Sequence, residues 1–240
     1  MVAHAIPDYV LVGKRERLLA MVDILESVPP EEIRAIARRS AFTRLEALDA
    51  VLVAPGEHEE RLLLLLEGRA RVCEEGPAGR ELTVSVEEGG TLVGATGFAS
   101  CRPWGLRVEA LEPSIVCSLS RQAFDELVGR YPTVGTRVAR LLGERLIETE
   151  GRLADLARKE VPERLASQIL RLVESEGLVT PEGYKLPTRY THQQLATMIG
   201  ANREAVTRAF GKLRYRGAVE LRNRRIFVTG PETLERIAQG

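Results

Sequence analysis

The sequence predicts an α+β chain, with an antiparallel β-roll in its N-terminal half, a long helix in the middle and a small helical domain ending in a hairpin. Three observations carry this. Between residues 50 and 120, short apolar or alternating runs recur between turn residues, the pattern of an antiparallel roll or sandwich. From Arg121 to about Lys159 the apolar spacing becomes helical and unusually long, with one break near Tyr131-Pro132. The charge then changes sign: residues 1–150 hold 18 Lys/Arg against 24 Asp/Glu, and residues 151–240 hold 16 against 10. The overall balance of 34 against 34 therefore conceals an acidic module joined to one that suits a polyanion. The expected organisation is a β-roll with N-terminal helices over 1–130, a dimerisation helix and hinge over 131–160, and a basic domain over 161–240.

Composition narrows the function classes. At 44% hydrophobic and 28% charged residues, the chain has a globular composition that excludes disorder as its main state. Cys73, Cys101 and Cys117 are odd in number and lack CxxC spacing, which disfavours a disulfide framework and a thiolate metal site and fits a reducing cytoplasm. The apolar run Leu62 to Leu66 is far below the ~20 residues of a spanning helix, so no membrane association is expected. His4, His58 and His192 are scattered, against metalloenzyme or Ser-His-Asp chemistry. A cupin-like metal enzyme would have only His58 with Glu57, Glu59 or Glu60, which reads better as a charged turn. Neither a catalytic residue nor a cofactor is expected.

Along the chain, residues 14 to 40 read as helical, with Leu18, Val22 and Leu25 on one face and Pro29-Pro30-Glu31-Glu32 opening a second helix. Residues 45 to 120 form the all-β domain. In the long helix, Leu142, Leu146, Thr149, Leu153 and Leu156 alternate steps of four and three, the seam of a two-stranded coiled coil in which a polar Thr149 sets the pairing. Pro162 suits the first turn of a further helix carrying Leu165, Ile169 and Leu172 inward. Gly177 and Thr180-Pro181-Glu182-Gly183 end that helix in a loop. Residues 1 to 13 and the last few residues are expected to be flexible.

The densest signal follows. Thr191-His192-Gln193-Gln194 has the form of a capping box, and the short helix behind it carries Leu195, Met198 and Ile199 inward before stopping at Gly200. Asn202 caps a second helix whose Val206, Phe210 and Leu213 form the buried stripe, turning Arg203, Glu204, Thr207 and Arg208 outward. This is a helix-turn-helix, with the exposed groups on the part of the second helix that reaches base edges. Arg donates two parallel hydrogen bonds to guanine O6 and N7, and Glu accepts from cytosine N4, so Arg203, Glu204 and Arg208 are the expected base readers of double-stranded DNA. A solvated face with a Glu204–Arg208 ion pair is the bland alternative. Val219 to Leu221 and Arg225 to Val228 read as a hairpin tipped by Arg222-Asn223-Arg224, the wing of a winged helix. Thr191, His192, Gln193, Thr207, Arg222 and Arg224 are the expected backbone contacts. From Lys185 to Arg225 there are ten Lys/Arg and only Glu204 and Glu220 as acids, so positive charge concentrates on the motif.

This order of domains, with Thr191 to Gln194, Ile199-Gly200, Asn202-Arg203-Glu204 and Arg208, resembles the cyclic-AMP receptor protein and fumarate-nitrate regulator (CRP/FNR) family of bacterial transcription factors, roughly from Leu18 to Gly230. The resemblance implies a homodimer on palindromic promoter sites, a cyclic-nucleotide-binding-like roll, RNA polymerase as a partner, and base contacts by Arg203, Glu204 and Arg208. The sensor half departs from the family pattern. Alignment on Gly56-Glu57, Gly68, Gly89, Gly94 and Val108 puts Ala95 where the ribose-binding Glu stands, Trp104 at the phosphate-binding Arg and Gly105 at its Ser neighbour. Thr149 matches the adenine-contacting position. A cyclic phosphate would lose its countercharge there, with Arg102 and Arg107 the cations left to replace it. Independence of cyclic AMP is therefore expected, with an unidentified effector or cysteine redox control as alternatives. No cysteine cluster or Cys–His pair supports an iron-sulfur or haem sensor. A winged helix that binds a protein instead of DNA remains the competing class.

Overall fold

The computed structural model describes residues 4–5, 13–45, 51–53, 61–75, 81–93 and 106–240. The chain divides into two compact units, Met1–Arg80 with Val84–Ile147, and Glu81–Thr83 with Glu148–Gly240.

The first unit begins with β1 (His4–Ala5), α1 (Lys14–Ala20), a 3₁₀ turn at Asp23–Leu25 and α2 (Pro30–Arg39). Then come β2 (Ala41–Leu45), β3 (Val51–Val53), β4 (Arg61–Glu67), β5 (Arg69–Glu75), β6 (Glu81–Glu88), β7 (Thr91–Val93), β8 (Leu106–Ala110) and β9 (Ser114–Ser120). They make two sheets, ordered β1-β2-β9-β4-β7 and β3-β8-β5-β6. The leucine run on β4 explains why they pack. Alternation sends Leu62, Leu64 and Leu66 into a cluster with Leu18, Val22, Leu25, Ile33 and Ile36, while Leu63 and Leu65 meet Ala70, Val72 and Val108 of the other sheet. A strand covered on both faces has no reason to alternate apolar with polar. Each buried leucine contributes about 1.5–3 kcal/mol. The β4–β5 turn requires Gly68: at φ +90° a Cβ would lie 2.3 Å from Ser114 Oγ and 2.6 Å from the Pro113 carbonyl oxygen.

Two boundaries differ from the sequence expectation. The first helix stops at Ala20, and the 3₁₀ turn carries Ile24 and Leu25 into the core while the Asp23 amide donates to the Gly90 carbonyl. The β domain starts at Ala41, directly after α2, and the expected flexible N-terminus supplies β1, with His4 opposite Arg44.

Helix α3 (Arg121–Arg130) is capped by Ser120 Oγ, which accepts from the Ala123 amide. The expected break follows, because Pro132 opens α4 (Pro132–Arg158), a helix of about 40 Å. Early in α4, Arg137 pairs with Asp23 and Glu26. Arg145 donates to Glu87 Oε2 and the Leu92 carbonyl, each at 2.6 Å.

The second unit holds α5 (Val161–Glu176), β10 (Leu178–Thr180), β11 (Gly183–Lys185), α6 (His192–Met198), α7 (Arg203–Tyr215), β12 (Val219–Arg222), β13 (Arg225–Val228) and α8 (Pro231–Gln239). Its sheet is ordered β10-β11-β13-β12. Pro162 lies in the first turn of α5, beside a capping box of Glu160 and Glu163. At the joint between α4 and α5, Asp155 accepts from Arg171 and pairs with Lys159. Partial burial of Asp155 opposes its ionisation, but the hydrogen bonds from Lys159 and Arg171 outweigh it and hold the carboxyl below its usual range. Two expectations are corrected here. Thr180 to Gly183 is the tip of a hairpin, with Leu178 opposite Lys185, and not a free loop. The C-terminal residues form α8, which buries Leu234, Ile237 and Ala238 and packs on α5.

Candidate nucleic-acid interface

The local chemistry of the helix pair is that of its sequence. Gln194 N–H donates to Thr191 Oγ1 at 3.1 Å, and the Thr191 amide donates to Gln194 Oε1 at 2.9 Å, so both halves of the capping box form. Leu195, Met198 and Ile199 are buried, and Gly200 adopts φ +60° to reverse the chain. Asn202 Oδ1 accepts from the Ala205 amide at 2.7 Å and starts α7. Val206, Phe210 and Leu213 are 0–5% exposed, together with Ala209. Arg203, Glu204, Thr207 and Arg208 are all exposed.

The ion pair of the bland alternative does not form. Among the described residues Glu204 and Arg208 make no ion pair with each other, and neither they nor Arg203 has another charged partner. Several arginines of the first unit do pair, as Arg71 does with Glu109 at 2.8 Å. Two guanidinium groups and a carboxylate therefore face solvent on the N-terminal two turns of α7, the end of a helix whose dipole favours an anion.

His192, Thr207 and Arg203 are linked. Thr207 Oγ1 donates to the Arg203 carbonyl at 2.9 Å and lies 2.9 Å from His192 Nδ1. With its one proton given to that carbonyl, Thr207 must accept from His192, which places the imidazole proton on Nδ1 and leaves Nε2 as the second ring nitrogen. Phe210 lies under the ring at 5.5 Å between centroids. Burial, and then the nearby Arg203 charge, push the His192 pKa below its ordinary value. In a proton NMR titration His192 should therefore protonate at lower pH than a free imidazole. Arg203→Ala should raise that midpoint without restoring it fully, because burial remains; an unchanged midpoint would remove Arg203 as a cause.

At the wing, β12 and β13 pair Arg222 with Arg225 around a two-residue turn. Asn223 and Arg224 both have positive φ, 51° and 61°. Two left-handed residues give the turn whose twist suits a hairpin, but arginine is an uncommon occupant, and such a position costs on the order of 1–3 kcal/mol. Arg224 is exposed and without an ionic partner among the described residues. Arg222, expected to serve as Arg224 does, is otherwise engaged. It donates to Glu182 at 2.5 Å and Glu220 at 2.7 Å and lies over the Phe227 ring. Phosphate contact by Arg222 would require these bonds to exchange.

On α4 the seam residues Leu146 and Leu153 are 59% and 66% exposed, and Leu156 and the unanticipated Ile147 are exposed with them. Thr149 is exposed beside them, whereas Leu142 packs partly on the core of its own unit. Gly94, Ala95, Trp104 and Gly105 of the expected effector pocket lie outside the described residues, as do Arg102, His58 with its neighbouring acids, and Cys101. Arg107 is described and pairs with Glu109 at 2.8 Å. Cys73 and Cys117 are buried strand residues, and burial pushes the Cys117 thiol up to about 12. Such a thiol is not a redox nucleophile. Among the described residues no group of three or more His, Cys, Asp and Glu is placed to hold a metal, and no helix is long and apolar enough to cross a membrane.

Comparison with known proteins agrees with this geometry. Residues 163–237 match the Crp-like helix-turn-helix domain, and residues 47–131 match the cyclic nucleotide-binding domain. A CRP-like cAMP-activated global transcriptional regulator of Mycobacterium tuberculosis is 26% identical over 230 residues, covering 93% of this chain and 100% of that protein. The global nitrogen regulator of Synechocystis is 28% identical over 184 residues, 75% of this chain and 81% of that one. Among solved structures, a CRP-family transcriptional regulator from Thermus thermophilus superposes with a TM-score of 0.70 at 25% identity, over 82% of this chain and 96% of its own. A CooA variant from Carboxydothermus hydrogenoformans shares the fold, with a TM-score of 0.74 at 19% identity over 91% and 95% of the two chains. With both domain matches in order along the chain, relatives that span most of it, and the same helix-turn-helix geometry, the chain belongs to the CRP/FNR family of DNA-binding transcription factors.

Proposed function

We propose that the chain is a sequence-specific transcription regulator that binds palindromic promoter DNA as a homodimer and does not depend on cyclic AMP. The observation that carries this reading is the face of Arg203, Glu204 and Arg208, exposed and without ionic partners among the described residues, on a helix whose orientation the capping box, Gly200 and Asn202 set. Arg203 and Arg208 read guanines and Glu204 a cytosine. Thr191, His192, Gln193 and Thr207 contact the backbone, Thr191 and Thr207 by exchanging the hydroxyl bonds they give to Gln194 Oε1 and the Arg203 carbonyl, and His192 by turning its N–H from Thr207 to a phosphate; of the two wing candidates Arg224 is the stronger because Arg222 is paired. Residues 1–130 serve as the sensor-like domain, 131–160 as the dimerisation helix and hinge, and 161–240 as the DNA-binding domain. The family relation supports RNA polymerase as partner and action in the cytoplasm as a regulator, not a catalyst.

Homodimerisation is supported by the exposed leucines of α4, which water alone would not retain in register. Replacing Leu146 and Leu153 with Glu should halve the molecular mass in analytical ultracentrifugation and abolish tight DNA binding. A dimer that survives both charges would place the interface elsewhere.

The base-reading roles predict unequal losses. Arg203→Ala or Arg208→Ala should lower discrimination between selected and random duplexes by roughly 1–3 kcal/mol, whereas Arg224→Ala should weaken both duplexes alike. Equal losses on both duplexes for all three variants would refute the assignment and leave a general polyanion surface.

Independence of cyclic AMP rests on Trp104 and Ala95 at the positions that resemble the phosphate and ribose contacts. Burying the phosphate without its paired donors costs several kcal/mol. The M. tuberculosis relative is named as cAMP-activated, so the two chains should differ in this property. Calorimetry of extensively dialysed protein should show no micromolar cyclic-AMP binding, and the same protein should bind DNA. DNA binding that emerges only on adding the nucleotide would overturn this half of the proposal.

A further inference from the structure

The reading face of α7 does not end at Arg208. Residues 204, 208, 211 and 215 form one stripe, because steps of four, three and four return a helix to the same side. Beyond Arg208 the stripe drops to bare backbone at Gly211 and rises again at Tyr215. A Cβ at Gly211 would meet no atom within 4 Å, so packing does not demand glycine there. The gap is an open notch of about 550 Å³ lined by Arg208, Gly211, Lys212, Tyr215 and Arg216. No carboxylate lines it, and Lys212 and Arg216 have no ionic partner among the described residues. Tyr215 is 93% exposed, an aromatic ring left in water by the folded chain.

We propose that this notch binds backbone phosphates of the same duplex, next to the bases read by the N-terminal turns of α7. The inference rests on the DNA-binding reading above and extends its contact surface. Tyr215 lies seven residues beyond Arg208, about 10 Å along the helix axis. The major groove is about 12 Å wide, so a stripe that starts on base edges and runs across the groove meets a phosphate strand within about that distance. Lys212 and Arg216 then supply the countercharge, and the Tyr215 phenol donates a hydrogen bond. Gly211 leaves the strand room to approach. A free phosphate would find three cations but no enclosing wall, whereas a polyanion held by the adjoining reading face meets all of them at once.

The test uses the full-length protein and duplexes carrying a selected site. Binding is titrated against salt for wild type, Lys212→Gln/Arg216→Gln, Gly211→Ala, Gly211→Glu and Arg203→Ala. The double variant should lower the slope of log affinity against log salt by about 0.9 per lost phosphate contact, with Kd raised at least tenfold and preference for the selected site unchanged. Gly211→Ala should bind as wild type, while Gly211→Glu should lose affinity as the double variant does. Neutral methylphosphonates scanned through the flanking positions should weaken wild type at one or two of them and leave the double variant unaffected there. If the double variant keeps the wild-type slope while Arg203→Ala still loses site preference, the notch is idle and the base-reading assignment stands. Loss of site preference in the double variant would make Lys212 and Arg216 base readers and overturn the phosphate role. Failure of Arg203→Ala to alter preference would instead undermine the reading face on which the inference depends.

Discussion

The second unit depends on the burial of one side of α7. Val206, Ala209, Phe210 and Leu213 are withdrawn from water, and at helical spacing that burial dictates which residues face outward. Rotating α7 to hide Arg203 or Arg208 would expose Phe210 and Val206, at about 1.5–3 kcal/mol for each large side chain. The outward face of Arg203, Glu204 and Arg208 is thus a by-product of the core, which lets it carry unpaired charge at little risk to the fold. The caps set the other coordinate. Thr191, Gly200 and Asn202 decide where α6 and α7 start and how sharply the chain turns between them, and each acts through backbone groups that no distant contact needs to support.

That locality explains what was legible in the sequence. Capping boxes, a proline that ends one helix and opens the next, and an apolar stripe are properties of neighbours in the chain, so the helix-turn-helix, the break at Pro132 and the wing could be placed before any coordinates. Features that rest on distant partners could not. Arg222 looks like any cation at a wing tip, and its engagement depends on Glu182, forty residues earlier, brought near by the β11–β13 pairing. Helix α8 is nine residues long, too short to hold itself, and packs against α5. Its Pro231 start and Leu234–Ile237 spacing were present, but nothing local distinguished them from a tail. The β10–β11 hairpin was masked by strands of three residues each.

The first unit and the outward face of α7 use charge in opposite ways. In the first, arginines are consumed internally: Arg71 by Glu109, Arg137 by Asp23 and Glu26, and Arg145 by Glu87 and the Leu92 carbonyl. Arg71–Glu109 and Arg145–Glu87 are withdrawn from water, where desolvation offsets much of the attraction, whereas the Asp23 and Glu26 carboxylates stay exposed and their pairs with Arg137 are screened. In the second, the cations of α7 are left outward, and the acids nearest the wing are spent on Arg222 alone. A net charge of zero over the whole chain is compatible with binding a polyanion because the excess of acids lies in residues 1–150 and the excess of Lys/Arg in residues 151–240.

The most direct test of the central claim is selection of bound duplexes from a random pool with purified, nucleotide-free protein, followed by sequencing. Base reading by Arg203, Glu204 and Arg208 in a symmetric dimer predicts enrichment of a two-fold symmetric motif with G·C pairs at the read positions and half-site centres about 34 Å apart. Enrichment of no motif, or of an asymmetric one, would contradict it.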